Sequence, residues 1–277
     1  MLDKLFNKKN KITKAAESKQ REIKSIDDYT EIFKTIYEEL GISDLHKRPI
    51  LYDRLSLIAK NYEIETSEKF IEIFRKKDAF YEEVIDAVTV NETYFFRELD
   101  SLEWLVDWIK SQNKDIRVLS IPSSNGAEIY SILIMLDKID SSLIQKINCI
   151  GIDVNNESIK KAYKAVYSER ELHKLDQDTK LKYFKKSDRY MLIDELKNRV
   201  EFINDNIFSL SSSKYGKFDV ILSRNLFIYF DDLHRKKATE ILYDILKPGG
   251  YLIMGVTDRL YEGINFNKIS NFVYKKT

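Results

Sequence analysis

The apolar positions of this chain change period once. From Ser25 to about Val90 they recur at three- and four-residue spacing, in "YTEIFKTIYEELGI", "ILYDRLSLIAKNYEI", "EKFIEIFRKKDAF" and "YEEVIDAVTV". That is the mark of helices that bury one face. The spacing predicts a small all-helical unit over residues 25–90, with its clearest break at Gly41 and the polar "SDLHKR" after it. Past about residue 99, short β-rich runs take over: "IRVLSI" (116–121), "INCIGIDV" (147–154), "VEFI" (200–203), "FDVILS" (218–223) and "GYLIMGV" (250–256). Between them "GAEIYSILIMLDKI", "NESIKKAYKAVY" and "LHRKKATEILYDIL" each carry one apolar face. Strands alternating with helices predict an α/β fold, a parallel sheet wound on both faces. Ligands of such sheets bind beyond the carboxyl ends of the strands, near the point where strand order reverses. Residues 168–199 are longer than an ordinary connection, and their candidate hairpin, "KYF" to "YMLI", predicts an insertion on the sheet.

Composition narrows the function classes. The 277 residues, 43% of them hydrophobic, suffice for two domains and a sizeable core. One third of the residues are charged, yet the net is +1, so no general basic field marks a dedicated nucleic-acid binder. The charge is uneven. Residues 1–24 hold eight Lys or Arg against three acids, a local +5 that leaves −4 on the remainder. This segment is expected to be a solvated tail, the lesser alternative being an amphipathic contact through Met1, Leu2, Leu5 and Phe6. No apolar run reaches the roughly 18 residues of a membrane span, and the start of the chain lacks a signal peptide's apolar core. A cytoplasmic monomer without membrane insertion is therefore expected. The single cysteine, Cys149, lies in an apolar stretch and reads as a buried filler, and His46, His173 and His234 are too scattered to suggest a metal site.

Candidate chemistry sits just after the strands. "PSSNGAEIYS" holds one glycine, Gly126, where a dinucleotide fingerprint needs three, so a cofactor without a pyrophosphate is implied. Asp153 ends "IGIDV", where a carboxylate can accept both hydroxyls of a ribose or cap the next helix. Together with Glu128, these residues favour S-adenosylmethionine: the acid for its adenosine, the loop for its aminocarboxypropyl tail. In "NDNIF" (204–208) Asn206 either meets the adenine edge or is a plain turn residue. "SRNLFIYF" (223–230) offers Arg224, Asn225 and Tyr229, and "LKPGG" after it reads as a helix stop and a turn. Upstream, "NETYFFRE" (91–98) puts three aromatics among an Asn, a Thr and an Arg. A core segment explains the rings but not the polar groups, because a buried donor without a partner costs about 1–3 kcal/mol.

"NETYFFRE", "PSSNGAEIYS", "GIDVNNESIKKAYKAVY", "FDVILSRNLFIYFDDLHR" and "LKPGGYLIMG", in that order, resemble the CheR chemotaxis-receptor methyltransferases. The likeness runs from about Ile32 to the C-terminus and includes "IYEELGI" and "LYDRL"; its most diagnostic parts are T-x-FFR and RN-x-x-IYF. The resemblance implies a helical N-terminal domain and a Rossmann-like catalytic domain over 91–277 with a small β insertion. It implies methyl transfer from S-adenosylmethionine to glutamates on the cytoplasmic domains of methyl-accepting chemotaxis receptors, leaving S-adenosylhomocysteine. The family's cofactor contacts fall on Asn91, Thr93, Arg97, Glu128, Asp153, Asn206, Ile207, Arg224 and Asn225. Arg97 and Tyr229 fall near the reacting groups, where they are expected to orient and not to act as acid or base. Three departures stand out: Ala127 in place of an acid, "GVTD" (255–258) in place of "GHSE", and few basic residues over 54–63. They leave two alternatives, a cofactor-bound signalling adaptor without turnover and a methyltransferase for another substrate class. The near-neutral charge and the lack of an "NPPY" tetrad weigh against the latter. The candidate turn "KKSDR" (185–189) has no glycine, although Ser187 and Asp188 can form a turn. Its flanks Lys182, Lys185, Lys186 and Arg189 either protect a strand edge from pairing or attract an acidic receptor peptide. Of the two, the expectation taken is an insertion kept as structure that does not need the tether.

Overall fold

Residues 29–277 are described by the computed structural model of the chain; the basic segment 1–24 lies outside them. The first apolar period folds into α1 (Tyr29–Leu40), α2 (Pro49–Asn61), α3 (Ser67–Phe74) and α4 (Ala79–Val88). The starts of α2, α3 and α4 are written locally. Pro49 opens α2, Thr66 Oγ1 accepts from Lys69 N at 3.3 Å, and Asp78 accepts from Phe80 N at 3.0 Å. Ile32, Ile36, Leu55, Phe70, Phe80 and Val84 form the buried centre of this unit.

The rest of the chain builds a sheet. In chain order come α5 (Leu99–Lys110), β1 (Ile116–Ser120), α6 (Ala127–Ile139), β2 (Ile147–Asp153), α7 (Asn156–Lys164), β3 (Val166–Tyr167) and α8 (Gln177–Tyr183). Then follow β4 (Phe184–Lys186), β5 (Tyr190–Leu192), β6 (Val200–Asn204), β7 (Phe218–Ser223), α9 (Asp232–Ile245), β8 (Leu246–Met254), β9 (Phe266–Lys268) and β10 (Val273–Lys276). The seven-stranded order is β6-β2-β1-β7-β8-β10-β9. The first five are parallel, β10 is antiparallel to β8, and β9 is antiparallel to β10. Strand order reverses between β1 and β7. Neighbouring residues of β1 feed opposite layers: Val118 belongs to the core cluster that includes Leu105 and Leu133, Leu119 to the one that includes Leu242 and Ile245. Burial on both faces is why the central strands read as continuous apolar runs.

All five strands expected from the sequence are present, and α5, β9 and β10 join them. "FNK" and "VYKK" were not legible as strands because both runs are short and largely polar; β10 lies between β8 and β9, and only β9 forms the antiparallel edge. Pro248-Gly249-Gly250 is not a turn ahead of the strand. It lies inside β8 at a register shift against β7, an enlarged bulge where β8 takes three more residues than its partner between the Phe218–Leu246 and Val220–Tyr251 pairs.

Within 168–199 the expected hairpin forms, pairing Phe184 with Leu192 and Lys186 with Tyr190, and β3 adds a third strand from just before that range. The unit is anchored by aromatics. Phe95, from the "NETYFFRE" segment, meets Tyr167 and Phe184 edge to face at 4.8 and 5.3 Å between centroids. Among the described residues, no helix is long and apolar enough to cross a membrane.

The helical unit docks on the strand-end side of the sheet. Ile42 bridges to Phe230, Ser43 N donates to Tyr229 O at 3.0 Å, and Tyr37 Oη donates to Asp231. Asn155 caps α7 through Oδ1 and donates from Nδ2 to Asp86 and Thr89, at 3.0 and 2.9 Å. Four hydrogen bonds and one strand-like bridge thus place α1 and α4 over the carboxyl ends of the strands.

Candidate active site

The loops after β1, β2, β6 and β7 converge on one cleft of about 250 Å³, closed by residues 88–94 and by Leu40, Ile42 and Arg48 from the helical unit. It lies where strand order reverses, as such sheets favour. Asn91, Thr93, Arg97, Glu128, Asp153, Asn206, Ile207, Arg224, Asn225 and Tyr229 all line it. Gly126 does not. It stands at φ +83° ahead of α6, and a Cβ there would come within 2.8 Å of the Tyr130 ring and 2.9 Å of the Phe202 ring. Its requirement is the left-handed turn and the close ring packing.

Asp153 ends β2 with its side chain buried. Its carboxylate accepts from Ser124 N and Asn155 N, both at 2.8 Å. Burial nevertheless pushes its pKa up to about 6, against the pull of those two donors. Between the ordinary aspartate value and about 6, the folded protein holds a proton that the unfolded chain has lost. This contribution to stability is present in acid and disappears as the pH rises through about 6.

Glu128 and Arg224 form a buried pair across the reversal point. Arg224 Nη1 donates to Glu128 Oε2 at 2.7 Å, and Ser120 Oγ donates to Oε1 at 3.0 Å. Arg224 Nη2 donates to the Arg97 carbonyl and lies 3.4 Å from the Glu98 carboxylate. Three buried polar atoms of the lining residues have no partner in the protein: Arg224 Nε, Ser123 Oγ and Ser124 Oγ. Each such group costs about 1–3 kcal/mol unless a ligand or water meets it. A polar, hydroxyl- and carboxylate-bearing molecule such as S-adenosylmethionine fits these donors and the Asp153 acceptor. Backbone strain gathers here too, with Phe96, Glu98, Ser124 and Asn225 at φ between +47° and +59°.

Other lining residues are already engaged. Asn206 Oδ1 accepts from Phe208 N at 3.0 Å and its Nδ2 donates to Glu39 O at 2.8 Å, so the carboxamide serves a turn and the helical unit. Asn225 donates from its backbone to Asp258 and from Nδ2 to Glu98 at 3.3 Å. Arg97 is freer. Nη1 donates to Glu92 O at 2.9 Å and the guanidinium lies 5.9 Å from the Tyr94 ring; among the described residues no carboxylate pairs with it. Tyr229 is half-buried beneath the Arg48 guanidinium, 5.3 Å from its ring centre. Burial raises its phenol above the usual value, so it remains a donor at neutral pH.

Arg48, Glu98, Ser123 and Ser124 belong to the cleft or its frame and escaped sequence reasoning. Glu98 carried a faint signal as the last residue of "NETYFFRE". Arg48 carried none, since its place over Tyr229 depends on how the helical unit docks. Ala127 is fully buried in the core, so its departure from an acid removes nothing from the cleft.

Asp153→Ala is expected to weaken S-adenosylhomocysteine binding by roughly 1–3 kcal/mol, the range for losing a charged hydrogen-bond partner. Wild-type affinity should rise from pH 5 to 7.5 as Asp153 ionises through about 6 and gains full acceptor strength. Calorimetry at both pH values, with the dependence blunted in the variant, checks both.

Residues 91–274 match the family described as CheR methyltransferase, SAM binding domain. A chemotaxis protein methyltransferase of Campylobacter jejuni is 33% identical over 246 residues, 87% of this chain and 92% of that protein. Chemotaxis protein methyltransferase 2 of Vibrio cholerae is 38% identical over 187 residues, 64% of this chain and 65% of that one. The Escherichia coli chemotaxis protein methyltransferase is 27% identical over 236 residues, 82% of each chain. With a strand-order reversal, a buried strand-end acid and a cleft lined by the family's motif residues, this chain belongs to the CheR methyltransferases.

Proposed function

We propose that this chain methylates glutamate side chains on the cytoplasmic domains of chemotaxis receptors. The observation that carries this reading is Arg97: a guanidinium at the cleft, unpaired with any described carboxylate, beside a buried acid and a buried ion pair suited to the cofactor. Asp153 would take the ribose hydroxyls, and the β1 loop with Glu128 and Arg224 the charged tail. When bound, S-adenosylmethionine supplies an electrophilic methyl group on a sulfonium.

The acceptor needs no general base, because a glutamate with a reference pKa of about 4.3 is ionised at pH 7. The protein's task is to bring a hydrated carboxylate into line and to replace its water by fixed donors. With the β1 loop and Arg224 given to the cofactor, Arg97 and the protonated Tyr229 phenol are the donors assigned to the acceptor. Charge on the nucleophile diminishes as the methyl group transfers, so an over-tight arginine clamp would stabilise the ground state more than the transition state. Arg97 makes one side-chain hydrogen bond and one ring contact, so it has donors left over to orient an acceptor.

The test is incubation with methyl-tritiated cofactor and receptor cytoplasmic fragments. The expected product is protein-bound label that alkali releases as volatile methanol, as a carboxyl ester requires. Alkali-stable label, or none on any receptor fragment, would overturn the reading.

A further inference from the structure

Asp258 stands behind the loop that carries Arg224, Asn225 and Tyr229, buried and outside the cleft lining. Its Oδ2 accepts from Asn225 N and from Gly255 N, the latter at 3.0 Å, and its Oδ1 accepts from Ile228 N at 3.1 Å. The three donors come from two loops, one after β7 and one after β8. Asn225 is held at φ +59°, a conformation that costs a non-glycine residue free energy unless its surroundings impose it. Space for the carboxylate comes from Gly255, where a Cβ would lie 2.7 Å from Oδ2 and 2.9 Å from Asn225 N. On the other side Glu98 spans the same two loops, accepting from Asn225 Nδ2 at 3.3 Å and from Val256 N at 3.1 Å.

We infer that Asp258 is a positioning residue for methyl transfer, fixing the 224–229 loop so that Arg224 and Asn225 face the cofactor while Tyr229 faces the substrate. The substrate half of this inference rests on the reaction proposed above. An ionised carboxylate suits the task because it only accepts, and both oxygens here meet backbone donors. An amide of the same shape would turn its NH₂ toward at least one of those N–H groups.

Asp258→Asn and Asp258→Glu, compared by calorimetry with S-adenosylhomocysteine and by initial rates on receptor fragments, test this. Asp258→Asn should bind S-adenosylhomocysteine about tenfold more weakly, as expected for a lost charged hydrogen bond. Its kcat should fall about 100-fold, the scale of a misplaced reacting geometry, with a smaller change in KM for the fragment. Asp258→Glu should recover most of both. If Asp258→Asn does not fold, Gly255→Ala, which crowds the same carboxylate, should show the same two losses. A folded Asp258→Asn protein with wild-type affinity and kcat, or losses that glutamate does not rescue, would overturn the inference. Should the wild type leave receptors unmethylated, the proposed substrate fails, while the affinities of the variants still decide the role of Asp258.

Discussion

Arg224→Ala is expected to destabilise the protein by about 3–5 kcal/mol, the range for removing one partner of a buried ion pair. Arg224 has 2% of its side chain exposed and Glu128 has 14%, so the carboxylate left behind would have Ser120 as its remaining partner and little water. The Arg97 carbonyl and Glu98 would lose a donor as well. Urea unfolding measures the loss, and an unchanged midpoint would show that the pair is solvated in solution. A double replacement separates stability from function. Arg224→Met with Glu128→Leu should recover much of the stability, because apolar residues of similar size often replace a buried pair at no net cost. It should not recover cofactor affinity, because the polarity of the pair is what the ligand would meet.

Arg97→Ala is expected to behave in the opposite way. Its guanidinium contributes one hydrogen bond to Glu92 O and a half-exposed contact with the Tyr94 ring, together worth about 1–2 kcal/mol at most. The thermal midpoint should therefore stay close to wild type. The bond that Arg224 makes to residue 97 uses its carbonyl, which alanine retains. Methylation of receptor fragments should fall sharply, with kcat/KM down about 10–100-fold, the equivalent of one charge-assisted hydrogen bond to the acceptor carboxylate. Most of the change should lie in KM, because the donor meets the carboxylate at least as strongly before reaction, while its charge is full, as in the transition state. If the variant unfolds, Arg97 is a structural residue. If it retains full kcat/KM, the acceptor does not meet this guanidinium.

The helical half was legible because its helices carry apolar stripes and α2, α3 and α4 also carry a local start signal. Thr66 and Asp78 cap α3 and α4 within three residues of sequence, so nothing distant is needed to place them. The central strands were legible because burial on both faces demands apolar runs. The antiparallel strands β9 and β10 were not, since "FNK" and "VYKK" are indistinguishable from loop until a neighbouring strand pairs with them. Pro248-Gly249-Gly250 misled for the same reason: its residues favour a turn, and only the pairing of β8 with β7 turns them into a bulge.

The cleft divides along the same line. The motif residues from Asn91 to Asn225 could be named from sequence because each loop follows a recognisable strand or carries a diagnostic motif, and strand order brings those loops to one edge. What each side chain does there depended on partners far away in the chain. Asn206 is drawn to Glu39 across 167 residues. Arg224 spends its charge on Glu128, 96 residues earlier. Asp258, an unassigned letter in "GVTD", meets the backbone of a loop about 30 residues upstream. Period and capping are properties of neighbouring residues, and sequence alone determined them. Which buried donor finds which acceptor is settled only when the sheet and the helical unit exclude water and leave each polar group whatever partner packing provides.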